Sequence, residues 1–397
     1  MPLTLPKTAS WIAIAALCAA GSSTIAKKPA LSPLQQCIAD EAKKSGFSGV
    51  VSVIRPQGNV SFTQGSMGGK GSAPMRANAQ FNIGSAGKMW TAVSIAQLVD
   101  ARKVALDDPI GSHVDGLTKE AAMVTIRQLL THSGGMGNFF VPENLEAMQR
   151  AKTLSELKPL IVTEKPIFAP GTRSQYSNSG FLLLGLIIER ASGQSYADYL
   201  QKNIFTPAGM TASGVMPLGP KLRAIGMTNI PQDGGKDPVG SGGPPPGARL
   251  GPPSGGPMML PPAGPLRVSP EAEMMGTSAG GSFSTPSDMH RFFAALLAGK
   301  LTSSAMRDAL LSKQFEILPA KGPLPAINYG LGFMVTDHKG HGFIGHNGGL
   351  PGGNVASGAF PKDQVTAIVM SNRDPPAADM MMRKLHEMLF DETGCGR

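Results

Sequence analysis

Ser85 and Lys88 stand three residues apart in "FNIGSAGKMW" (81–90), between small residues and where helical spacing begins. A serine hydroxyl is a weak nucleophile at neutral pH and needs a base within hydrogen-bond reach. At a helix start, positions i and i+3 lie on one face, which lets the Lys88 amine meet the Ser85 hydroxyl. Burial disfavours the ammonium form, so a buried Lys88 can accept the serine proton. The helix N-terminus adds free N–H groups and the positive dipole end where an oxyanion would develop. The plainer alternative for the same residues is an N-capping serine beside a solvated lysine.

Two distant stretches carry complementary groups. "FAPGTRSQYSNSGFLLLG" places Tyr176 and Asn178 two apart in a turn after Pro-Gly and before an apolar helix. A phenol and an amide so spaced can be aimed at one point, the phenol as acid or base and the amide on a substrate carbonyl. A structural tyrosine corner is the alternative. "FIGHNGGLPGG" ends a strand with His346, Asn347, Gly348 and Gly349. Its glycines free an edge for an extended substrate, and the Gly349 N–H can be the second oxyanion donor, opposite that of Ser85. His346 reads either as a polar substrate ligand or as a residue that ties down the strand end. His132, in "LLTHSGG", reads as turn-stabilising.

The elements that must hold these groups follow from periodicity. Leu34, Cys37, Ile38 and Ala42 share a helical face ended by Gly46, and "SGVVSVIRPQGNVSFTQG" reads as two strands around a turn. Helical spacing runs from Gly84 to about Ala105 and returns at 121–131, 143–161, 181–192 and 288–299. "YGLGFMVTD", "HGFIGHNGG", "NVASGAFP" and "QVTAIVMSN" then read as strands, followed by a last helix, "AADMMMRKLHEMLFDE". Strands and a helix at both ends of a mostly helical middle predict an α+β fold. One antiparallel sheet, flanked by the N- and C-terminal helices, would be built from 27–84 and 320–397. A helical lobe (85–319) would be inserted, with a cleft where the lobes meet. Together they make one domain, 27–397.

Residues 231–270 break the pattern. They hold 12 Pro and 10 Gly and no aromatic residue, a composition that cannot bury enough apolar surface to offset its ordering entropy. A flexible surface insertion is expected there. Residues 1–26 read as a secretory signal, with Lys7, the apolar "WIAIAALCAA" and small residues before a cut. That apolar run is too short to span a bilayer, and no later run reaches spanning length. A periplasmic or secreted protein without an integral membrane segment is expected after signal removal. The formal net charge of +9 is scattered, without a basic run or interleaved aromatics, which argues against a nucleic-acid partner. The seven histidines and three cysteines show no metal-ligand spacing, so no metal or other cofactor is expected.

Taken in order, Ser-x-x-Lys, Tyr-x-Asn and His-Asn-Gly resemble the serine β-lactamase and penicillin-binding-protein family. The resemblance is to its branch of class C β-lactamases, D,D-carboxypeptidases, D-aminopeptidases and esterases. "VTIRQLLTHSGGM", "PGTRSQYSNSG", "SAGGSFSTPSDMHRFFAALL" and "YGLGF" resemble its recurring segments, over roughly residues 31–390. The resemblance implies that Ser85 is the acylated nucleophile, Lys88 its base and Tyr176 a second general acid/base, with Asn178 a ligand of the substrate amide. His346 stands where β-lactamases of this branch have the lysine of Lys-Thr-Gly, and "HNG" looks more like the peptidase and esterase members.

The expected activity is hydrolysis of an ester or amide carbonyl in a small molecule or peptide, through an acyl-enzyme on Ser85. Esterase or D-Ala-type peptidase ranks first and β-lactamase second. A reading of another class is a non-catalytic protein that binds a cell-wall fragment. Cys37 lies on the first helix and Cys395 just past the last. Export puts both thiols in an oxidising compartment, so if those helices pack side by side a Cys37–Cys395 disulfide is expected.

Overall fold

The computed structural model describes residues 31–230, 264–318 and 326–391. The expected signal (1–26), Cys395 and residues 231–263 of the expected insertion lie outside them.

Helix α1 (Pro33–Ser45) begins with Ser32 and Gln35 in a reciprocal capping box and Pro33 at the first position. It ends at Gly46, whose left-handed φ of +66° returns its N–H to the last carbonyls. A hairpin of β1 (Gly49–Ile54) and β2 (Val60–Gln64) follows, then the short β3 (Phe81–Asn82) and α2 (Lys88–Asp100). The apolar α3 (Asn178–Ser192) is buried at every position from Asn178 to Ile188, as a helix without a polar face must be. β4 (Met227–Thr228) pairs with β5 (Arg267–Val268), and β6 (Phe283–Ser284) pairs with β3. Helix α4 (Pro286–Leu297) is capped by Thr285. The remaining strands are β7 (Phe315–Leu318), β8 (Ile327–Tyr329), β9 (Met334–His338), β10 (His341–Leu350), β11 (Gly353–Phe360) and β12 (Val365–Ser371), and α5 (Ala377–Phe390) closes the described chain.

One eight-stranded antiparallel sheet runs in the order β2-β1-β12-β11-β10-β9-β8-β7, so both chain ends share it as expected. Strand alternation sorts its residues onto two faces. Val50, Ile344, Val355, Ala359, Ile368 and Met370 face the core of the helical lobe. Val51, Val53, Ala356, Phe360, Ala367 and Val369 face the opposite way, onto Leu34 and Ile38 of α1 and Met381 and Leu385 of α5. Each large side chain buried there contributes about 1.5–3 kcal/mol relative to exposure. Helices α1 and α5 therefore pack together on the outer face. Cys37 of α1 is disulfide-bonded.

Four expectations need adjustment. "YGLGFMVTD" is two strands, because the chain reverses at Gly332 with φ +81°. The sheet's second part starts at Phe315 rather than 320, since β7 pairs with β8. The expected helix at 143–161 is broken: Ala151 turns extended with ψ 136°, and Thr153 caps a new short helix at Leu154–Leu157. The end of the expected insertion, 264–270, is structured: Gly264 N–H donates to Asn229 O, and β5 returns against β4.

Candidate active site

The nucleophile turn is built from close backbone approaches. Strand β3 passes through Gly84 (φ +50°), whose N–H donates to Asn82 Oδ1 at 3.0 Å, into a tight turn at Gly84–Gly87. Neither this turn nor the start of α2 has a side-chain cap, so Ser85 is not spent on capping. Strand β10 lies directly against the turn. A Cβ on Gly348 would fall 2.0 Å from Ile83 O and 2.9 Å from Ser85 N, and one on Gly84 would fall 2.9 Å from Gly349 N. Glycine at 348 thus lets the two backbones meet, leaving the Ser85 and Gly349 amides beside each other.

Lys88, the first residue of α2, is fully buried. Its Nζ lies 3.2 Å from Ser85 Oγ, donates to Asn178 Oδ1 at 2.7 Å and donates to the carbonyl of Ala279. Burial pushes its pKa well below the ordinary ammonium value, and no carboxylate opposes that shift. A neutral amine has two N–H donors and one lone pair. In the free-base form the acceptors Asn178 Oδ1 and Ala279 O would take the two donors and leave the lone pair for the Ser85 hydroxyl. The orientation of Asn178 is itself fixed. Phe140 N–H, an obligate donor, points at Asn138 Oδ1 (3.2 Å), so Asn178 Nδ2 must be what donates to that oxygen at 2.9 Å. Asn178 therefore anchors Lys88 as well as bordering the site.

Tyr176 sits over the lysine, with Nζ 4.6 Å from the ring centroid. The residue is half-buried, yet desolvation by the surrounding protein raises its pKa well above that of free phenol, offset in part by a hydrogen bond with Ser85. The phenol is protonated at rest. Ser177 starts α3 by accepting Gly180 N–H at 2.8 Å and donates to Gly137 O at 2.8 Å, which pins Tyr176 and Asn178 to the 132–138 loop.

The third motif is arranged differently from the sequence reading. His346 is 3% exposed, and both ring nitrogens are occupied. The carbonyl of Asn347 can only accept, so Nδ1 carries the proton that it donates there at 2.5 Å. Nε2 then accepts from Tyr329 Oη at 2.8 Å. Desolvation pushes its pKa down to about 3. His346 is a neutral tie between strands and has no ring nitrogen left for a substrate. Asn347 is also corrected. Period-two alternation turns it to the opposite face of the sheet from His346 and Gly348, where its Nδ2 donates to Asp379 Oδ1 at 3.3 Å. The backbone of this motif lies against the Ser85 turn, and the His346 ring centroid lies 6.5 Å from that of Tyr176.

Residues without a role in the sequence reading complete the support. Tyr329 opens the quoted "YGLGF" stretch, but its bond to His346 depends on the pairing of β8, β9 and β10. Asn354 donates to Gly348 O at 2.9 Å and to Asp379 Oδ2 at 3.0 Å, and accepts Ala378 N–H at 2.6 Å, tying β10 to the start of α5. No sequence signal marks it. Among the described residues no cluster of three metal-ligating side chains forms, and no helix is long and apolar enough to cross a membrane.

Comparisons with known proteins bear on the family and the fold. The chain is 24% identical over 362 residues to a putative penicillin-binding protein, PbpX, of Bacillus subtilis, covering 90% of this chain and 79% of the relative. It is 28% identical over 209 residues to the esterase EstB of Burkholderia gladioli, covering 48% and 52%. The match to penicillin-binding protein 4* of B. subtilis, 34% identical, spans only 32% of that protein. Among solved structures, a penicillin-binding protein from Bacillus halodurans superposes with a TM-score of 0.72 at 25% identity, over 89% of this chain and 99% of that one. A D-stereospecific amidohydrolase from Streptomyces shares the fold, with a TM-score of 0.71 at 21% identity over 92% and 100%. The Beta-lactamase family model matches residues 34–390, and the chain belongs to that family.

Proposed function

We propose that the protein hydrolyses an ester or amide through an acyl-enzyme on Ser85. The observation that carries this reading is the fully buried Lys88, held by Asn178 and Ala279 at 3.2 Å from Ser85 Oγ with its pKa pushed well down by burial, so that its free-base form has a lone pair for the Ser85 proton. Ser85 Oγ attacks the carbonyl carbon as its proton passes to Lys88. The amides of Ser85 and Gly349 hold the tetrahedral oxyanion. The carbonyl reforms, the bond to the leaving group breaks, and that group departs with a proton relayed through the Tyr176 phenol. A water then gives a proton back along the same path and attacks the acyl carbon, releasing the acid and restoring Ser85. Asn178 Nδ2 holds the acyl-side amide of the substrate. A binding protein has no need of a desolvated base aimed at a hydroxyl, which argues against the non-catalytic reading.

The substrate side points to neutral esters and amides. A carboxylate ligand would be expected to meet a cation at position 346, and His346 is neutral and internally bonded. Hydrolysis of esters and of amides without a free carboxylate is therefore placed ahead of β-lactam hydrolysis and of cleavage of peptides ending in a free D-Ala carboxylate, in keeping with the esterase and amidase names among the relatives. Export to the periplasm or medium is part of this reading and rests on residues 1–26. Fluorophosphonate labelling of Ser85, with turnover of p-nitrophenyl esters, nitrocefin and a D-Ala-D-Ala peptide compared, tests it. Absence of both labelling and turnover would return the protein to the binding class, and nitrocefin as the best substrate would reverse the ranking.

A further inference from the structure

We propose that His132 is a positioning residue that sets the place and orientation of Tyr176. The inference rests on the reading of Tyr176 as the proton relay. The backbone N–H groups on either side of that tyrosine both end on this one histidine: Gln175 N–H donates to His132 O at 2.9 Å, and Ser177 N–H donates to His132 Nδ1 at 3.1 Å. One residue upstream, Ser174 Oγ donates to Thr131 O at 3.0 Å. The imidazole also backs the phenol face, with ring centroids 4.4 Å apart at 37°. Phe181 and Tyr329, at 5.0 and 4.8 Å, hold the imidazole in turn.

The backbone of His132 is held where such a residue rarely sits, at φ +56°. That conformation lets its carbonyl and its ring reach neighbouring amides of the same segment. An amide N–H can only donate, so Nδ1 must be unprotonated and the ring neutral. Burial likewise holds its pKa well below the ordinary value. The proton then lies on Nε2, which is buried and has no hydrogen-bond partner among the described residues. An unpaired buried N–H is costly, and a histidine kept only to stabilise a turn would not need that tautomer. The tautomer is what the Ser177 amide requires.

Two substitutions separate this role from general stability. His132→Gly removes the ring acceptor without strain at φ +56°, and His132→Asn keeps an acceptor, Oδ1, near the place of Nδ1 in a residue that tolerates the left-handed region. Turnover of p-nitrophenyl acetate is measured for both, for Tyr176→Phe and for the double variant His132→Gly/Tyr176→Phe, with active sites titrated by a fluorophosphonate. The expected result for His132→Gly is a kcat lower by roughly 10- to 100-fold, the usual cost of a misplaced group, with KM within about threefold. Asparagine should restore kcat to within about fivefold of the parent. In the Tyr176→Phe background the glycine change should cost no more than about twofold, because its effect acts through the phenol.

A full additional loss in that background overturns the inference while leaving the Tyr176 assignment standing. An unchanged kcat in His132→Gly does the same. Unchanged turnover in Tyr176→Phe overturns the Tyr176 assignment, and the inference with it. If the glycine variant has no cooperative melt, His132→Asn decides: a loss as large as that of Tyr176→Phe overturns the inference, and near-parental kcat supports it.

Discussion

Lys88 Nζ donates to Asn178 Oδ1 at 2.7 Å across 90 residues of chain, joining the first turn of α2 to that of α3. The bond holds the amine while adding no charge to it. Asn178→Asp would place an anion there, favour the ammonium form and raise the Lys88 pKa. The acid limb of kcat/KM should then move to higher pH, with turnover at a fixed pH on that limb down about tenfold for each unit by which the pKa rises. A pH–rate profile of the parent and the variant checks this, and an unmoved limb would show that Lys88 is not the titrating base.

Ser85→Ala and Lys88→Ala should each lower kcat by several orders of magnitude. The double variant should be little worse than either, since nucleophile and base act as one unit. Single-turnover rates on an activated ester give the comparison. Strictly additive losses would exclude a shared proton.

Gly348→Ala should abolish fluorophosphonate labelling and lower the melting temperature, because its Cβ would lie 2.0 Å from Ile83 O and 2.9 Å from Ser85 N. Both neighbours are backbone and can give way only if the nucleophile turn moves; overpacking of this kind costs about 1–3 kcal/mol or more. Gly342→Ala on the same strand meets nothing within 4 Å and should leave both properties unchanged. Equal behaviour of the two variants would refute the close approach.

Stability should fall with acid below neutrality. Burial lowers the pKa of His290 to about 4 and of His346 to about 3, from 6.5. A depressed folded-state pKa means that the stability is present above pH 6.5 and is lost as pH falls toward those values, since the unfolded chain takes up the proton first. Asp379 works the other way: its pKa is raised from 3.8 to about 6, so its share is lost as pH rises through 6. His290 bonds Ser52 through Nε2 at 2.9 Å. Replacing it by Asn should make the slope of unfolding free energy between pH 6.5 and 4 shallower by about one proton. Urea unfolding across that range measures the slope, and an unchanged one would place His290 among ordinarily titrating groups.

The sequence by itself determined what local spacing controls. Ser85 and Lys88 are three apart, Tyr176 and Asn178 two apart, and alternation in 341–371 specifies the central strands on which both chain ends meet. It also set the capping box of α1 and the buried character of α3. Tertiary structure alone decided the chemical state of the site. The Lys88 pKa is held down because the folded chain buries the amine completely, while Asn178 and Ala279, 90 and 191 residues away, bring acceptors without adding a negative charge. His346 is closed to substrate because Tyr329 comes from another strand, and Asn347 faces away because register with Ala356 puts it on the α5 side of the sheet. The break between β8 and β9 and the return of β5 onto β4 depend likewise on partners that no short window contains. Periodicity is a property of neighbours along the chain, whereas pKa, tautomer and hydrogen-bond commitment belong to neighbours in space.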